Sequence, residues 1–147
     1  MTVSLLDISV LLALTWPNHL FHLAAHHWFD KSPDRLWATC ALTELGFIRI
    51  SANPSFHSET VTPKDAAAEL KRLCRHAGHR FWTSPTAADP AIFSRAKGHQ
   101  QANDAWLVEL TRSHSRVLAT FDKRLHVHDP SAKHIELIPS TLNFSER

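Results

Sequence analysis

The chain has 147 residues, of which 44% are hydrophobic and 20% charged, the length and composition of one globular domain. Only three glycines occur, and the sequence contains neither a P-loop nor a GxGxxG motif for binding phosphates. The formal net charge of +2 is too small to identify nucleic acid as a partner. A cluster of acids in one pocket would, however, leave the remaining surface clearly positive.

The sequence has no mark of export or of a membrane span. Its first four residues include no Lys or Arg, and Asp7 interrupts the apolar stretch that follows. No apolar run reaches the roughly 18 residues that a membrane helix needs. The two cysteines, Cys40 and Cys74, are too few for a disulfide framework and too far apart for a C-x-x-C site. We therefore expect both to be small, buried hydrophobic residues. We therefore expect a cytoplasmic protein without membrane contact.

The first half of the chain predicts strands that alternate with helices. In chain order, we expect a strand over residues 3–6, helical turns over 9–15, a helix over 18–30, a strand over 35–38 and a helix over 40–51. Asn18 and Thr39 are good N-caps for the two longer helices, and Asn53-Pro54 stops the second. The apolar face of the 18–30 helix consists of Leu20, Leu23, Ala24 and Trp28.

The second half continues the alternation after a polar connection over residues 55–62. Pro63 and Asp65 mark the first turn of a helix that runs to about residue 76 and stops at Gly78. Its buried stripe consists of Ala66, Leu70, Leu73 and Ala77. There follow a strand over 79–83, a loop over 85–90, a short helix over 91–95, a helix capped by Asn103 and ending at 113, a strand over 116–121, a turn over 123–125, a strand over 135–138 and a loose tail over 139–147.

Strands that alternate with helices indicate a mainly parallel sheet covered by helices on both faces. The sequence therefore predicts an α/β protein with a central sheet of about five strands flanked by helices. Since we find no repeat, linker or low-complexity tract, we expect a single domain over residues 1–147.

Four carboxylates stand in otherwise apolar segments: Asp7, Glu44, Asp104 and Asp122. Burying a carboxylate is costly unless something pairs with it, and few basic residues stand beside these four. Open parallel sheets bind ligands beyond the carboxyl ends of their strands, and acids that follow strands or open helices can meet at that edge. The pattern predicts a site for one or two Mg²⁺ or Mn²⁺ ions, which prefer oxygen ligands.

Three of these acids also have simpler interpretations when taken singly. Asp104 could favour the positive end of its helix dipole, an effect of about 0.3–1 kcal/mol. Asp122 could be a turn residue after a strand, and Glu44 could be a surface acid if the helix phase differs. Asp7 has no such structural role in its apolar run. The four acids together are a more specific signal than any one of them.

Four short motifs carry a family resemblance. They are Leu-Leu-Asp-Ile-Ser-Val-Leu-Leu-Ala-Leu at residues 5–14, Ala-Thr-Cys-Ala-Leu-Thr-Glu-Leu-Gly-Phe-Ile-Arg at 38–49, Asn-Asp-Ala-Trp-Leu at 103–107 and Leu-Ala-Thr-Phe-Asp at 118–122. In this order and spacing they resemble the motifs of PIN-domain ribonucleases, specifically the VapC-type toxins of bacterial toxin–antitoxin pairs. The resemblance covers nearly the whole chain. One departure is Ser9, where many relatives have Asn.

This resemblance implies a PIN-like fold and the hydrolysis of RNA phosphodiester bonds with Mg²⁺ or Mn²⁺ as cofactor. The family's metal-binding and catalytic quartet corresponds to Asp7, Glu44, Asp104 and Asp122, and its supporting positions correspond to Ser9 and Thr120. Asp7 is expected to be the main direct ligand, and Asp104 and Asp122 direct or water-mediated ones. Glu44 is expected to orient the attacking water or assist its deprotonation.

The resemblance also implies three partners: an RNA with an accessible loop or single strand, a cognate antitoxin that covers the acidic groove, and a second copy in a homodimer. Candidate RNA-binding cations around the groove are Arg49, Arg95, Lys97, Lys123 and Arg124. Trp16 or Trp82 could stack on a base, although a tryptophan more often belongs to the core.

Other interpretations remain open at this point. His22 and His26 have the i, i+4 spacing of zinc ligands, but no neighbouring residue completes a familiar zinc signature, so we expect solvated or packed histidines. A PIN-like module that binds RNA or protein without hydrolysis would share the fold, and the acidic quartet favours the enzyme. A phosphatase with Asp7 as nucleophile is a weaker hypothesis, because Ser9 replaces the second acid of an Asp-x-Asp pattern.

Overall fold

A parallel β-sheet forms the centre of the protein. The computed structural model describes residues 3–84 and 88–142, and within them the strands are β1 (Ser4–Leu6), β2 (Trp37–Cys40), β3 (His79–Trp82), β4 (Val117–Thr120) and β5 (Ile135–Leu137). All neighbouring strands pair in parallel, in the order β3-β2-β1-β4-β5. The predicted α/β fold with a mainly parallel sheet of about five strands is confirmed.

Helices cover both faces of this sheet. In the described ranges the α-helices are α1 (Ile8–Thr15), α2 (His22–Asp30), α3 (Ala41–Ser51), α4 (Pro63–Leu73) and α5 (Ala102–Ser113), and 3-10 helices span Pro90–Phe93, His99–Gln101 and Lys123–His128. The last of these replaces the predicted turn at 123–125, and the first replaces the predicted short helix at 91–95. The order of strands and longer helices agrees with the sequence prediction.

The sheet separates two apolar layers, because successive strand residues point to opposite faces. Leu6, Trp37 and Ala119 point into the layer that α1, α2, α3 and α4 cover. Leu5, Ala38 and Leu118 point into the layer beneath α5. The strands are buried on both faces, which explains their nearly continuous apolar sequences.

The strand order reverses beside β1. From β1 the chain proceeds outward to β2 and β3, and it then returns to the other side of β1 to form β4 and β5. In open parallel sheets such a reversal leaves a crevice beyond the carboxyl ends of the two strands concerned. Asp7 directly follows β1 and Asp122 lies two residues after β4, so both acids lie at this crevice.

The N-caps predicted for α2 and α3 are wrong. The Asn18 side chain donates a hydrogen bond to the Phe56 carbonyl (2.9 Å), and α2 begins four residues later. Thr39 lies inside β2, where its hydroxyl donates to Oε2 of Glu44 (2.6 Å), so that Cys40 is the N-cap of α3. In both cases a hydrogen bond to another residue, Phe56 or Glu44, engages the side chain that would otherwise have capped the helix.

Three side chains predicted on buried helix faces are exposed. Leu20 is 87% and Leu23 69% accessible to solvent, since α2 begins after Leu20 and turns Leu23 outward, and Ala77 lies beyond the end of α4. The members of the two predicted stripes that are buried are Ala24, Trp28, Ala66 and Leu70. Burial on α2 is therefore narrower than the apolar sequence suggests.

β2 lies two residues later than predicted, and α4 ends three residues earlier. The Arg35 guanidinium stacks on Trp28, 3.9 Å from the ring centre, which holds this residue against α2 rather than in the strand. His76 accepts hydrogen bonds from Trp37 Nε1 (3.1 Å) and from the Gly78 backbone N–H (3.0 Å), so the chain turns toward the sheet. Gly78 is therefore not a left-handed helix stop.

α5 begins at Ala102, directly after a 3-10 turn, so the predicted cap Asn103 lies inside its first turn. Residues 85–87 of the predicted loop and 143–147 of the predicted tail lie outside the described residues.

Among the helices that the structure describes, none combines the length and the apolar character needed to cross a bilayer.

Candidate active site

Asp7 lies where β1 ends and α1 begins. Its Oδ1 accepts a hydrogen bond from the Ile8 backbone N–H (2.8 Å), which makes Asp7 the N-cap of α1. Its Oδ2 accepts a second hydrogen bond from the Thr120 hydroxyl (2.7 Å) at the end of β4. Asp7 is only 8% exposed, and within the described ranges no cationic side chain pairs with it. It is thus a buried carboxylate with neutral hydrogen-bond donors and no counterion among the described residues.

The pKa of Asp7 is raised to about 6, mainly by burial and to a lesser extent by the negative charges of Asp104 and Asp122. The hydrogen bonds from Thr120 and Ile8 act in the opposite direction, because they favour the ionised carboxylate. Three aspartates from different parts of the chain therefore lie close enough to interact electrostatically. We call Asp7, Asp104 and Asp122 the aspartate cluster.

Asp104 occupies the first turn of α5 and is half-buried. Burial raises its pKa, and the charge of Asp122 adds to that effect, while Arg124 opposes it. The helix-dipole interpretation of Asp104 and its membership of the cluster are compatible, since both follow from a position at the amino end of α5.

Asp122 is held by a neighbouring cation. The Arg124 guanidinium binds both carboxylate oxygens, through Nη2 to Oδ2 (2.8 Å) and through Nε to Oδ1 (3.0 Å), and the Arg124 backbone N–H also donates to Oδ1 (2.9 Å). These contacts lower the pKa of Asp122, so this carboxylate stays ionised while burial opposes ionisation of the other two. The aspartate cluster therefore contains one partly neutralised member and two without a basic partner among the described residues.

The two predicted supporting positions differ in their contacts. The Thr120 hydroxyl donates to Asp7 and accepts from the Asp122 backbone N–H (3.0 Å), so it joins two members of the cluster. The Ser9 hydroxyl is buried in the first turn of α1 and has no hydrogen-bond partner within the described ranges. A buried hydroxyl without a partner, two residues from Asp7, calls for a water molecule or a hydrated ion.

Glu44 lies in the first turn of α3, beyond the carboxyl end of β2, and its contacts are with another group of side chains. Its Oε2 accepts from the Thr39 hydroxyl, whose oxygen lies 2.8 Å from Nε2 of His79. The ligand atoms of Glu44, Cys74 and His79 lie within 4.8 Å of one another. Glu44 and burial together raise the pKa of the Cys74 thiol to about 11, burial being the larger cause. The structure therefore links Asp7, Asp104 and Asp122 electrostatically and links Glu44 to Thr39, His79 and Cys74.

Sequence reasoning missed His79 and Thr39 as partners of Glu44. His79 opens the strand that pairs with β2, and Thr39 lies on the neighbouring strand with its side chain on the same face. Knowledge that β2 and β3 are neighbouring strands would have allowed this contact to be predicted. The sequence alone gives strand positions but not which strands are neighbours.

The donor set of the aspartate cluster fits a hydrated divalent cation. Of the sets of three His, Cys, Asp or Glu side chains in the described residues, the compact one with all ligand atoms within 4.8 Å is Glu44, Cys74 and His79. The aspartate cluster is therefore wider than a closed cage. Mg²⁺ usually keeps several waters and uses only one or two carboxylates directly, so a wide set of oxygen ligands with an unpartnered hydroxyl suits it.

The five predicted RNA-binding cations have different positions. Arg124 and Lys123 are exposed directly beside Asp122. Arg95 and Lys97 are exposed in the segment before α5, with Arg95 close enough to His128 to lower the pKa of that imidazole, although burial is the larger cause. Arg49 lies in the last turn of α3, about 12 Å along the helix from its first residue and thus toward the opposite edge of the sheet.

Neither of the tryptophans considered for base stacking has both ring faces open. Trp16 donates to the Ser51 hydroxyl (2.8 Å) and packs parallel to Phe47, so it is partly buried against the core. Trp82 stacks on His114, with ring centres 4.1 Å apart.

His22 and His26 have a structural role. Their ring nitrogens donate to the carbonyls of Ala13 and Leu14, at 2.7 Å each. These carbonyls belong to the last turn of α1, where a helix leaves its acceptors without internal partners. The i, i+4 spacing of the two histidines thus caps one helix with the side chains of the next.

Comparison with known proteins adds the following. No family model matches the chain. Ribonuclease VapC39 of Mycobacterium tuberculosis (strain H37Rv) is 38% identical over 128 residues, which cover 83% of this chain and 90% of the relative. Ribonuclease VapC38 of the same strain is 36% identical over 120 residues, covering 82% and 85%. Ribonuclease VapC29, also of that strain, is 34% identical over 142 residues, covering 96% and 99%.

Proposed function

The chain belongs to the VapC-type toxins of the PIN-domain family, and from that premise we propose that it is an endoribonuclease that hydrolyses RNA phosphodiester bonds with Mg²⁺ or Mn²⁺. The observation that carries this proposal is the aspartate cluster at the strand-order reversal, in which burial, and to a lesser extent two neighbouring carboxylates, raises the pKa of Asp7. Such a cluster without a basic partner for Asp7 is stabilised by a bound divalent cation.

Asp7 is the principal metal ligand, and Asp104 and Asp122 complete the site directly or through water. When bound, the cation supplies a nucleophile at neutral pH and neutralises charge that develops on the phosphate oxygens. Thr120 fixes the Asp7 carboxylate by its hydrogen bond to Oδ2 and is a positioning residue. Ser9 offers a buried hydroxyl on the same turn as Asp7, where it can orient a water molecule.

Glu44 has a different part in this proposal. Its carboxylate is held by the Thr39 hydroxyl and lies near His79, whose pKa it raises while burial lowers it more strongly. A carboxylate with neutral hydrogen-bond partners at the same edge of the sheet can accept a proton from water. We therefore expect Glu44→Gln to reduce the cleavage rate more than the affinity for the cation, whereas Asp7→Asn reduces both.

The substrate is RNA with an accessible single strand or loop, because the phosphate must reach a crevice at the edge of the sheet. Exposed Lys123 and Arg124 beside Asp122, and Arg95 and Lys97 before α5, supply positive charge near the acids. Lys and Arg side chains that contact phosphates make binding depend on salt concentration. The enzyme would act in the cytoplasm, where RNA is present.

The direct test is cleavage of a labelled single-stranded RNA in Mg²⁺ or Mn²⁺ by the wild type and by Asp7→Asn. We expect Asp7→Asn to lower the rate by at least about a hundredfold, the size typical of losing a key electrostatic contact. Asp34→Asn is the matched control, since Asp34 is exposed and lies between α2 and β2, away from the cluster. Removal of divalent ions with EDTA should also abolish cleavage.

The alternatives predict different results in this experiment. Equal cleavage by the wild type and Asp7→Asn would refute the catalytic assignment. Binding of RNA without cleavage by either protein would favour a non-catalytic PIN-like module. Hydrolysis of a chromogenic phosphomonoester in preference to RNA would indicate a phosphatase.

We also propose that the toxin has two protein partners, a cognate antitoxin and a second copy of itself. Exposed leucines before α2, on α2 and on α3 support this, because Leu20, Leu23 and Leu45 are 66–87% exposed and would be covered in a protein interface. Sedimentation velocity at micromolar concentration should show a dimer. A monomer under all conditions, alone and at high concentration, would contradict the homodimer.

A further inference from the structure

An apolar cavity of about 490 Å³ lies between the first turns of α3 and α5. Its lining includes Ala41 and Leu42 from α3, Asn103 and Trp106 from α5, and Phe93 and Ser84 from the segments before α5. The volume is within the range of cavities that bind small molecules or single groups of a larger ligand. Among the described residues no charged side chain lines it, which suits an uncharged group as its occupant.

The cavity lies beside the first turn of α5, which also carries Asp104 of the aspartate cluster. Asn103 directly precedes Asp104, and Trp106 lies two residues after it, in the same turn of α5. α3 begins where β2 ends, so its first turn lies at the same edge of the sheet as Asp7. A polymer whose phosphate contacts the cluster must place its neighbouring nucleotides along this edge.

The lining has the chemistry of a nucleobase site. Trp106 and Phe93 are half-buried aromatic rings, and rings of this kind stack on bases of any sequence. The side chains of Asn103 and Ser84 and the Trp106 indole N–H have no hydrogen-bond partner within the described ranges, so they are free to bind polar atoms at the edge of a base. An asparagine amide offers a donor and an acceptor together, which matches the mixed edges of bases.

We propose that this cavity binds one unpaired nucleobase of the RNA, beside the phosphate that is cleaved, with Trp106 stacking on the base and Asn103 and Ser84 contacting its edge. The inference rests on the proposed ribonuclease function and deepens it, because it names the part of the substrate that selects the cleavage position. A base in a duplex cannot enter the cavity without leaving its stack, so the site selects single strands.

An apolar side chain of a protein partner is the competing occupant. The base is favoured because the cavity adjoins the site of a phosphodiester substrate and has free polar groups on an apolar lining. A purely apolar side chain would leave those polar groups buried and unsatisfied. The experiment below separates the two occupants.

The test uses the Asp7→Asn protein, in which RNA stays intact, and short fluorescent single-stranded RNAs that carry one abasic nucleotide at successive positions. We expect one abasic position to weaken binding about 5- to 150-fold, the range for loss of one stacked base. The same effect should shrink severalfold when Trp106→Leu or Asn103→Ala is added. Phe81→Leu is the matched control, because Phe81 is an exposed aromatic residue outside the cavity. Asn103 is exposed, so its replacement keeps the test informative if Trp106→Leu unfolds the protein.

Three results would overturn the proposal: no position-dependent abasic effect, an effect that neither variant reduces, or equal affinity for duplex and single-stranded RNA. Loss of antitoxin binding in Trp106→Leu with unchanged RNA binding would identify a protein pocket instead. Failure of the proposed function gives a different result, in which the wild type cleaves no RNA although the abasic effect is present.

Discussion

Asp7 uses both of its carboxylate oxygens within the protein. One caps α1 and the other accepts from Thr120, so the orientation of the carboxylate is fixed by neutral donors. Burial and two neighbouring carboxylates oppose its ionisation, whereas these donors favour it. Burial and the neighbouring charges outweigh the hydrogen bonds, so an ionised Asp7 without a bound cation is destabilising. The stability of the protein without divalent ions should therefore depend on the charge of this one side chain.

The first prediction concerns pH. The folded protein holds the Asp7 proton more tightly than the unfolded chain does, since the pKa is about 6 in place of 3.8. The stability from this group is complete below about pH 4 and is lost as the pH rises through about 6. In EDTA, Asp7→Asn should therefore exceed the wild type in free energy of unfolding by up to about 3 kcal/mol at neutral pH.

The same difference should nearly vanish below about pH 3, where Asp7 is protonated in both the folded and the unfolded wild type. Urea unfolding of both proteins at several pH values measures it, and Asp34→Asn serves as the control for losing a surface carboxylate. A gap between wild type and Asp7→Asn that is equal at acidic and neutral pH would contradict the assignment of the raised pKa to Asp7.

The second prediction concerns Arg124, which binds Asp122 through both oxygens while remaining exposed. Its positive charge competes with a divalent cation for the aspartate cluster. Arg124→Ala should therefore tighten Mn²⁺ binding by about fivefold, with little change in stability because the ion pair is exposed to solvent. Calorimetric titration with Mn²⁺ measures this, and Lys123→Ala, the neighbouring exposed cation, should change the affinity less. Weaker Mn²⁺ binding by Arg124→Ala would show that Arg124 supports the cation rather than competing with it.

At the level of elements, helix ends show where local and tertiary signals prevail. α4 begins with a local capping box, in which Thr62 and Asp65 bond reciprocally, and its start agrees with the prediction. The last carbonyls of α1 accept hydrogen bonds from two imidazoles of α2, and the start of α2 has no side-chain cap. A helix end can be predicted from the sequence when the residues that cap it lie within four positions of each other, because the helix geometry then places both partners.

The third prediction concerns the turn into β3. Gly78 is buried, and a Cβ at this position would overlap the Arg35 carbonyl oxygen, a backbone atom that cannot move aside alone. Gly78→Ala should therefore lower the free energy of unfolding by about 2 kcal/mol or more. Gly98→Ala is the matched control, because a Cβ there meets nothing within 4 Å, and its effect should stay within about 0.5 kcal/mol. Urea unfolding of both variants measures the difference, and equal effects would contradict the close approach at Gly78.

For the whole molecule, the central fact is that one sheet has an apolar layer on each face. Leu11 belongs to the layer beneath α1 to α4, and Leu107 to the layer beneath α5. β1 and β4, whose carboxyl ends border the aspartate cluster, contribute side chains to both layers. The site geometry therefore depends on both layers being packed together.

The fourth prediction follows from this arrangement and tests the expected single domain. Leu11→Ala and Leu107→Ala should each cost about 2–5 kcal/mol, because both side chains are fully buried. If residues 1–147 unfold as one unit, tryptophan fluorescence and circular dichroism should give coincident transitions in each variant. Loss of one layer before the other, seen as two separate transitions, would contradict a single cooperative domain.

The alternation of strands and helices, the parallel sheet and the four carboxylates in apolar segments could all be predicted from the amino-acid sequence. These features depend on periodicity, on helix-capping signals such as Thr62-Pro63 and on the cost of burying charge, all of which act over a few residues. Asp7 is the clearest case, since its apolar neighbours alone indicate a buried acid that needs a partner.

Which distant side chains meet became known from the three-dimensional fold. It joined Asp7 to Thr120, placed His79 beside the Thr39 hydroxyl that binds Glu44, and left Leu20 and Leu23 exposed. The physical reason is that these contacts depend on strand order, register and helix rotation. A shift of one strand position or one helical residue turns a side chain to another face, while the local sequence pattern hardly changes.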